Sequence, residues 1–237
     1  LHEFLPRDEE DLADVAKALG RDVLAIKNKA AQLHEFNPML GLRGCRLGLI
    51  HPEIYDMQTR AILKGALAVE AQGGHALVEI MIPLVSTPAE LEQTRARVQQ
   101  TADALFAEAG RKVDYKIGTM IEIPRAALLA DQVAEFADFF SFGTNDLTQM
   151  TFGLSRDDAG TFLPRYVEDG VLADEPFQVL DQQGVGALVK LACAGGRKAK
   201  PKLKLGICGE HGGEPRSIAF CHRIGLDYVS CSPYRVP

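Results

Sequence analysis

Two carboxylates each lie at the end of an apolar run, where they could hold a metal ion together. Glu122 lies in Ile-Glu-Ile-Pro-Arg at 121–125, and Asp146 lies in Phe-Gly-Thr-Asn-Asp-Leu-Thr-Gln at 142–149. Mg²⁺ prefers oxygen ligands, and it commonly binds one or two carboxylates while taking further oxygens from water or a bound anion. Either carboxylate alone would be more typical of a helix cap or an ion pair. The pair, in successive units, predicts a magnesium site.

The residues just before Asp146 suit a small anion. Asn145 supplies a side-chain amide, and Gly143 and Thr144 supply backbone N–H groups at the end of the same apolar run. Backbone N–H groups at the start of a helix are natural partners of anions. The segment therefore predicts an anion site beside the metal.

Two arginines follow another apolar run. Arg43 and Arg46 lie in Gly-Leu-Arg-Gly-Cys-Arg, after a predicted strand at 39–42. A guanidinium can bind a phosphate or carboxylate group through two parallel hydrogen bonds. The alternative is a salt bridge at the rim of the sheet, so both interpretations stay open at this point.

Cys208 stands at the end of a further apolar run, in Gly-Ile-Cys-Gly-Glu-His-Gly-Gly. A thiol with an ordinary pKa of about 8.5 can act as an acid or base when a metal or a cation lies nearby. Glu210 and His211 could form a network around it. The alternative is a small buried apolar residue, which is the usual state of a free cysteine. We assign that second role to the other cysteines, which are Cys45, Cys193, Cys221 and Cys231.

The composition excludes several classes of function. A net charge of −6 over 237 residues disfavours nucleic-acid binding. No apolar stretch reaches the roughly 18 residues of a membrane span, and no signal-peptide pattern is present. Five scattered cysteines favour reduced thiols in a cytoplasmic setting, with a plastid as the alternative for a plant protein. A zinc cluster of cysteines and histidines is disfavoured because the spacing fits no common motif.

Apolar runs alternate with amphipathic helices along most of the chain, which predicts an α/β fold. Residues 8–35 predict a pair of helices, and 153–202 predicts a long loop with a helix near 184–195. Further helices are predicted at 52–72, 88–109, 125–136 and 214–224. The six predicted strands are 39–42, 77–85, 116–123, 138–143, 203–208 and 227–231.

Polar residues collect after these strands, which favours a (β/α)8 TIM barrel over an open sheet. No G-x-G-x-x-G motif supports a dinucleotide fold. Six strands of eight predict a partial barrel whose first two strands are missing. We therefore expect a fragment of a longer multidomain protein, with residues 1–35 as a helical insertion and residues 36–237 as the barrel portion.

Several segments together resemble the phosphoenolpyruvate-utilising enzymes, and the likeness runs along the whole chain. Leu1-His-Glu-Phe4, Ser155–Gly160 and Tyr228–Pro233 are most similar to the dikinase branch of that family. Leu42 departs from the pattern, since relatives often carry His there. The segments that carry the family resemblance are Phe36–Arg46, Ile80–Leu84, Gly118–Arg125, Phe140–Gln149 and Cys208–Gly213.

The resemblance implies a function for the chain. The barrel would transfer a phosphoryl group between a phosphohistidine and pyruvate enolate with Mg²⁺, interconverting pyruvate and phosphoenolpyruvate. Phosphohistidine and ATP-grasp domains of the same full-length chain would be partners, the protein would be a homodimer, and the isolated fragment would be inactive. Glu122 and Asp146 would bind Mg²⁺ and substrate, and Cys208 would exchange a proton with the methylene carbon. The other implied substrate-binding residues are Arg43, Gly143, Thr144 and Asn145.

Two alternatives remain at this stage. The parent enzyme could be a synthase that uses water as the second acceptor. It could also be a non-catalytic barrel that senses phosphoenolpyruvate, although such a sensor has no need of a proton donor at Cys208.

Overall fold

The computed structural model describes residues 4–236. Leu1, His2 and Glu3, at the start of the predicted helical insertion, lie outside the described residues. So does Pro237, at the end of the predicted barrel portion. Five strands form one sheet, all neighbours are parallel, and the order along the sheet is the order along the chain. The strands are β1 (Val78–Ile82), β2 (Tyr115–Ile121), β3 (Phe139–Gly143), β4 (Lys204–Cys208) and β5 (Tyr228–Val229).

Sequential parallel order is the arrangement of a barrel segment. Right-handed crossovers between successive neighbours place every connecting helix on the same side of the sheet, so the other side becomes an interior. A doubly wound sheet would instead reverse its order at a switch point. The predicted α/β fold and partial barrel are confirmed, with five strands in place of the expected six.

The strand predicted at 39–42 is wrong. Pro38–Leu40 forms a single 3-10 turn, closed by a bond from the Gly41 N–H to the Pro38 carbonyl. Proline lacks an N–H group for a sheet ladder. The Arg46 guanidinium also takes up the carbonyls of Leu40 and Gly41, at 2.7 Å and 3.0 Å, so these groups need no neighbouring strand.

Helices surround the sheet on its outer side and at its edges. The predicted helix at 125–136 is divided at Leu129, and the predicted long loop contains two short helices. The helices are α1 (Glu9–Leu19), α2 (Val23–Gln32), α3 (Gly44–Ile50), α4 (Pro52–Ala71), α5 (Pro88–Ala109), α6 (Pro124–Leu128), α7 (Ala130–Ala134), α8 (Thr144–Phe152), α9 (Arg156–Ala159), α10 (Leu163–Glu168), α11 (Val185–Ala199) and α12 (Pro215–Arg223). None of the helices within 4–236 is long and apolar enough to cross a membrane.

The ends of the helices follow from their sequences. The Thr87 side chain accepts from the Glu90 N–H while the Glu90 carboxylate accepts from the Thr87 N–H, which forms a capping box at the start of α5. Asp8 caps α1 and Asp22 caps α2, so the helical pair predicted over 8–35 is present.

Strand β3 divides its side chains between the two sides of the sheet. Phe140 and Phe142 are fully buried in the main apolar core, beneath the helices that cover the outer side. Side chains alternate along a strand, so Ser141 and Gly143 face the interior of the barrel portion. The core therefore lies between the sheet and the helices, and polar side chains are left to the interior.

Candidate active site

The register of the strands aligns three predicted site residues at one edge of the sheet. Gly143 pairs with Cys208 across β3 and β4, and Phe142 pairs with Ile121 across β2 and β3. One residue further along, Glu122 follows β2 at the same level. Since carboxyl ends of parallel strands meet at one edge, the structure brings Glu122, Gly143 and Cys208 together there.

Glu122 is buried, with 4% of its surface exposed. Its Oε1 accepts a hydrogen bond of 2.6 Å from the Leu84 N–H. Burial, with a further contribution from the negative charge of Asp146, raises the pKa of Glu122 to about 7, against the opposing hydrogen bond and the charge of Arg43. Because ionisation of the buried Glu122 side chain costs free energy, a cation bound beside it would stabilise its charged form.

Leu84 owes its position to an unusual backbone conformation. Its φ of 58° is the one positive value among the described non-glycine residues, and its side chain is fully buried. A left-handed leucine is uncommon and costs free energy, so the surrounding contacts must hold it in place. The result is a main-chain donor directed at the Glu122 carboxylate.

Gly143 allows the two strand ends to approach closely. A Cβ at this position would lie 2.8 Å from Glu122 Oε2 and 2.5 Å from Met120 Sδ. Both distances are shorter than van der Waals contact. Only glycine therefore leaves the Glu122 carboxylate its place beside β3.

Asp146 lies in the first turn of α8. Its Oδ1 accepts a weak hydrogen bond of 3.4 Å from Gln149 Nε2. Its Oδ2 lies 3.2 Å from Arg43 Nη1, yet this buried oxygen accepts no hydrogen bond. A buried carboxylate oxygen normally has a hydrogen-bond partner. The unsatisfied Oδ2, near the buried Glu122, suits a pair of carboxylates that bind a cation.

Arg43 is the N-cap residue of α3, and 40% of its side chain is exposed. Its contact with Asp146 places a guanidinium beside the anion site predicted at Asn145 and Thr144. Arg46, the other candidate, is engaged by the carbonyls of the turn before α3. The structure therefore separates the two arginines, with Arg43 at the site and Arg46 in a structural contact.

Cys208 is partly buried, and its Sγ lies 3.5 Å from the Phe142 carbonyl oxygen. Burial raises the pKa of the thiol, and the charge of Glu122 adds to this effect, while a hydrogen bond with Ser141 opposes it. The thiol therefore carries its proton at neutral pH. A protonated thiol facing the site can act as an acid.

Two polar residues of the interior were not recognised in the sequence. Ser141 is buried and pairs in register with Gly206, which pairs in turn with Tyr228. A Cβ at Gly206 would lie 2.0 Å from the Tyr228 ring, so glycine makes room for that ring. The available signal was the alternation at the ends of β3 and β4, in which Ser141, Gly143, Gly206 and Cys208 are separated by apolar residues.

Thr144, Asn145 and the residues after Cys208 form one network. The Thr144 hydroxyl lies 2.7 Å from His211 Nδ1, and the buried His211 ring also bonds the Pro176 carbonyl through Nε2 at 2.9 Å. A carbonyl can only accept, so Nε2 carries the proton and Nδ1 accepts from Thr144. Burial lowers the pKa of His211, in agreement with a neutral ring.

This network differs from the predicted contacts of Cys208. His211 reaches Cys208 only through Thr144, which also lies 3.3 Å from the Cys208 carbonyl. The Glu210 carboxylate forms an ion pair with Arg156. The backbone N–H of Glu210 lies 3.5 Å from Asn145 Oδ1. Both residues therefore fix the loop and not the sulfur.

None of the other described cysteines lies at the carboxyl end of β2, β3 or β4. Cys45, Cys193 and Cys221 are buried, and Cys231 is partly exposed. Burial raises the pKa of Cys45 and Cys193 to about 12. Across residues 4–236, no group of three or more His, Cys, Asp or Glu side chains is arranged to hold a metal ion.

Comparison with known proteins identifies the family to which the chain belongs. The chain is 58% identical over its whole length to pyruvate, phosphate dikinase 2 of Zea mays, and covers 27% of that protein. It is 57% identical to pyruvate, phosphate dikinase of Rhizobium meliloti and 56% identical to that of Clostridium symbiosum, again over its whole length, covering 26% and 27% of them. The chain thus spans about a quarter of the length of these relatives. The family model for the PEP-binding domain of PEP-utilising enzymes matches residues 12–237, and the chain therefore belongs to that family.

Proposed function

We propose that this chain supplies the pyruvate and phosphoenolpyruvate site of a dikinase. In this reaction a phosphoryl group passes between a phosphohistidine of another domain and the enolate oxygen of pyruvate. The observation that carries the proposal is the alignment of Glu122, Asp146 and Cys208 at the carboxyl ends of successive parallel strands. This arrangement combines a cation site with a proton donor, and enolate chemistry needs both.

The residues present fit Mg²⁺. Asp146 offers a buried oxygen without a hydrogen bond, and Glu122 offers a buried carboxylate whose ionisation is costly without a cation. Two carboxylates leave coordination positions for oxygens of the substrate. When bound, Mg²⁺ would act as a Lewis acid that favours enolisation of the keto acid.

The other side chains have separate tasks. The Arg43 guanidinium pairs with Asp146 at 3.2 Å and is partly exposed, so its exposed N–H groups would contact the phosphoryl group. Asn145 and the N–H groups of Gly143 and Thr144 orient the substrate. The neutral thiol of Cys208 gives its proton to the methylene carbon in one direction and receives it in the other.

The domain organisation of the chain and its relation to further domains also enter the proposal. We infer that residues 1–35 are a helical insertion and residues 36–237 the barrel portion. Phosphohistidine and ATP-grasp domains of one polypeptide would be its partners, in a cytoplasmic or plastid homodimer. The length of the relatives supports the presence of further domains.

Substitution of Cys208 by Ala in the full-length protein tests the function. We expect loss of pyruvate formation from phosphoenolpyruvate, while phosphorylation of the distant histidine by ATP continues. Cys193→Ala, at a buried cysteine away from the site, is the matched control and should retain both half-reactions.

Two outcomes contradict the proposal. Equal loss of both half-reactions in Cys208→Ala would show that the cysteine has no specific role in proton transfer. Mg²⁺-dependent pyruvate binding by the unmodified protein, without exchange of the methyl protons, would instead identify a sensor.

A further inference from the structure

The side chain of Gln149 lies on the buried side of α8, and both of its polar groups are engaged. Gln149 is 8% exposed, and it follows Asp146 by three residues, so the two side chains lie on the same face of the helix. Its Oε1 accepts a hydrogen bond of 2.7 Å from the Arg156 N–H. Its Nε2 lies 3.4 Å from Asp146 Oδ1. The amide thus joins a carboxylate of the site to the main chain beyond the helix.

The Arg156 N–H determines which way the amide of Gln149 faces. A backbone N–H can only donate, so it takes the amide oxygen and leaves the NH2 group for Asp146. Arg156 is itself held by its side chain, which forms an ion pair with Glu210 and whose guanidinium carbon lies 5.9 Å from the centroid of the Phe177 ring. The donor directed at Asp146 therefore has a fixed orientation.

The Gln149 donor limits the rotation of the Asp146 carboxylate. Oδ1 receives the amide, whereas Oδ2 is buried, accepts no hydrogen bond and lies 3.2 Å from Arg43 Nη1. A carboxylate that is free to turn favours a guanidinium pair through both of its oxygens, which would leave neither oxygen for a cation. A donor at Oδ1 opposes that rotation, and Oδ2 stays available.

We propose that Gln149 is a positioning residue for the cation ligand Asp146, and that it gives the site a preference for Mg²⁺ over the larger Ca²⁺. The inference rests on the proposed function, because it takes Asp146 and Glu122 as the residues that bind the cation. Mg²⁺ requires near-ideal octahedral geometry, whereas Ca²⁺ accepts variable ligand numbers and distances. A carboxylate held in one orientation suits Mg²⁺, and a mobile carboxylate serves Ca²⁺ nearly as well.

Anchoring of the chain after α8 does not account for an amide at this position. The main-chain carbonyl of Gln149 already accepts the N–H groups of Gly153 and Leu154 at the end of the helix. A further tie to the Arg156 N–H needs only an acceptor, which a glutamate would also supply. The amide differs from a carboxylate of the same shape in its NH2 group, and that group faces Asp146.

Calorimetric titration of the full-length protein with Mg²⁺ and with Ca²⁺ tests this role. Titration of Asp146→Asn gives the heat of cation binding elsewhere in the protein. Gln149→Met removes both hydrogen bonds of the amide and should weaken Mg²⁺ binding on the order of tenfold, the lower end of the range for residues that orient metal ligands. Ca²⁺ binding should weaken much less, so the ratio of the Mg²⁺ affinity to the Ca²⁺ affinity falls.

Two further variants separate the donor from the rest of the side chain. Gln149→Glu keeps the acceptor for the Arg156 N–H and loses the donor. Its added charge acts on both cations alike, so the ratio of affinities should fall as it does in Gln149→Met. Thr151→Val is the matched control on the same helix, because it removes only a hydroxyl that donates to the Leu147 carbonyl at 2.6 Å. It should keep the ratio of the unmodified protein.

Two results would overturn the inference. The first is an unchanged ratio of affinities in Gln149→Met, with or without a loss of thermal stability, which would leave Gln149 as a structural tie of the loop. The second is a normal ratio in Gln149→Glu, which would show that the donor to Asp146 has no effect. Both would leave the proposed function intact. Absence of Mg²⁺ binding by the unmodified protein, relative to Asp146→Asn, would instead remove the metal site and this inference together.

Discussion

The titration of Glu122 gives a quantitative test of the metal site. Its buried carboxylate has a pKa raised from 4.5 to about 7. The folded chain therefore keeps a proton that the unfolded chain loses in this window, so stability falls as pH rises from 4.5 to about 7 and is constant above it. At 1.36 kcal/mol for each pH unit, the full loss is about 3 kcal/mol.

Glu122→Gln removes this titration while keeping an oxygen for the Leu84 N–H. In EDTA, the variant should be more stable than the unmodified chain above about pH 7, by an amount approaching about 3 kcal/mol, and the difference should vanish below pH 4.5. Urea denaturation followed by circular dichroism over this pH range measures it. Addition of Mg²⁺ at alkaline pH should recover the stability of the unmodified chain only.

The matched control is Glu92→Gln, at an exposed position of α5. It should keep the pH dependence of the unmodified chain. If Glu122→Gln also kept that dependence, or if Mg²⁺ stabilised both proteins equally, the assignment of Glu122 as a costly carboxylate that binds the cation would be refuted.

Three further changes have defined outcomes. Gly143→Ala should displace the Glu122 carboxylate and lower the free energy of unfolding by about 1–3 kcal/mol, as measured by thermal denaturation. It should also weaken Mg²⁺ binding measured by calorimetry, and an unchanged Mg²⁺ affinity would contradict the close approach of β3 to Glu122. Asp146→Asn should change stability by only about 1 kcal/mol, because its ion pair with Arg43 is partly exposed, yet should abolish Mg²⁺-dependent turnover; retained turnover would count against a ligand role. Ser141→Ala should raise the pKa of Cys208 further, so that alkylation of Cys208, followed by mass spectrometry, begins at a higher pH. An unchanged pH dependence of alkylation would argue against an effect of Ser141 on the thiol.

Much of the fold was visible in the sequence because its signals are local. Continuous apolar runs predicted β1 to β5, and the helix predicted at 88–109 coincides with α5. The strand at 39–42 failed because four apolar or small residues after a proline are compatible with either a strand or a turn. Only the hydrogen bonds of Arg46 decide between them.

The site was predictable where the chemistry lies at strand ends. Glu122, Asp146 and Cys208 each follow an apolar run, so their common edge follows from parallel order alone. The left-handed Leu84 and the alignment of Ser141 with Gly206 and Tyr228 depend on register between distant segments, which no local pattern contains. The roles of the site residues remain predictions until the variants are measured.

The segment at Leu84 joins two parts of the site mechanically. Besides holding Glu122, it lies against α3, since a Cβ at Gly44 would be 2.9 Å from Leu84 Cβ and the Cys45 thiol lies 3.2 Å from the Leu84 carbonyl. The carboxylate and the helix that starts after Arg43 thus share a single support. Under the proposed function, cation binding at Glu122 would therefore be coupled to the position of Arg43, and a substitution that disturbs Leu84 would lower the affinity for both the cation and the phosphoryl group.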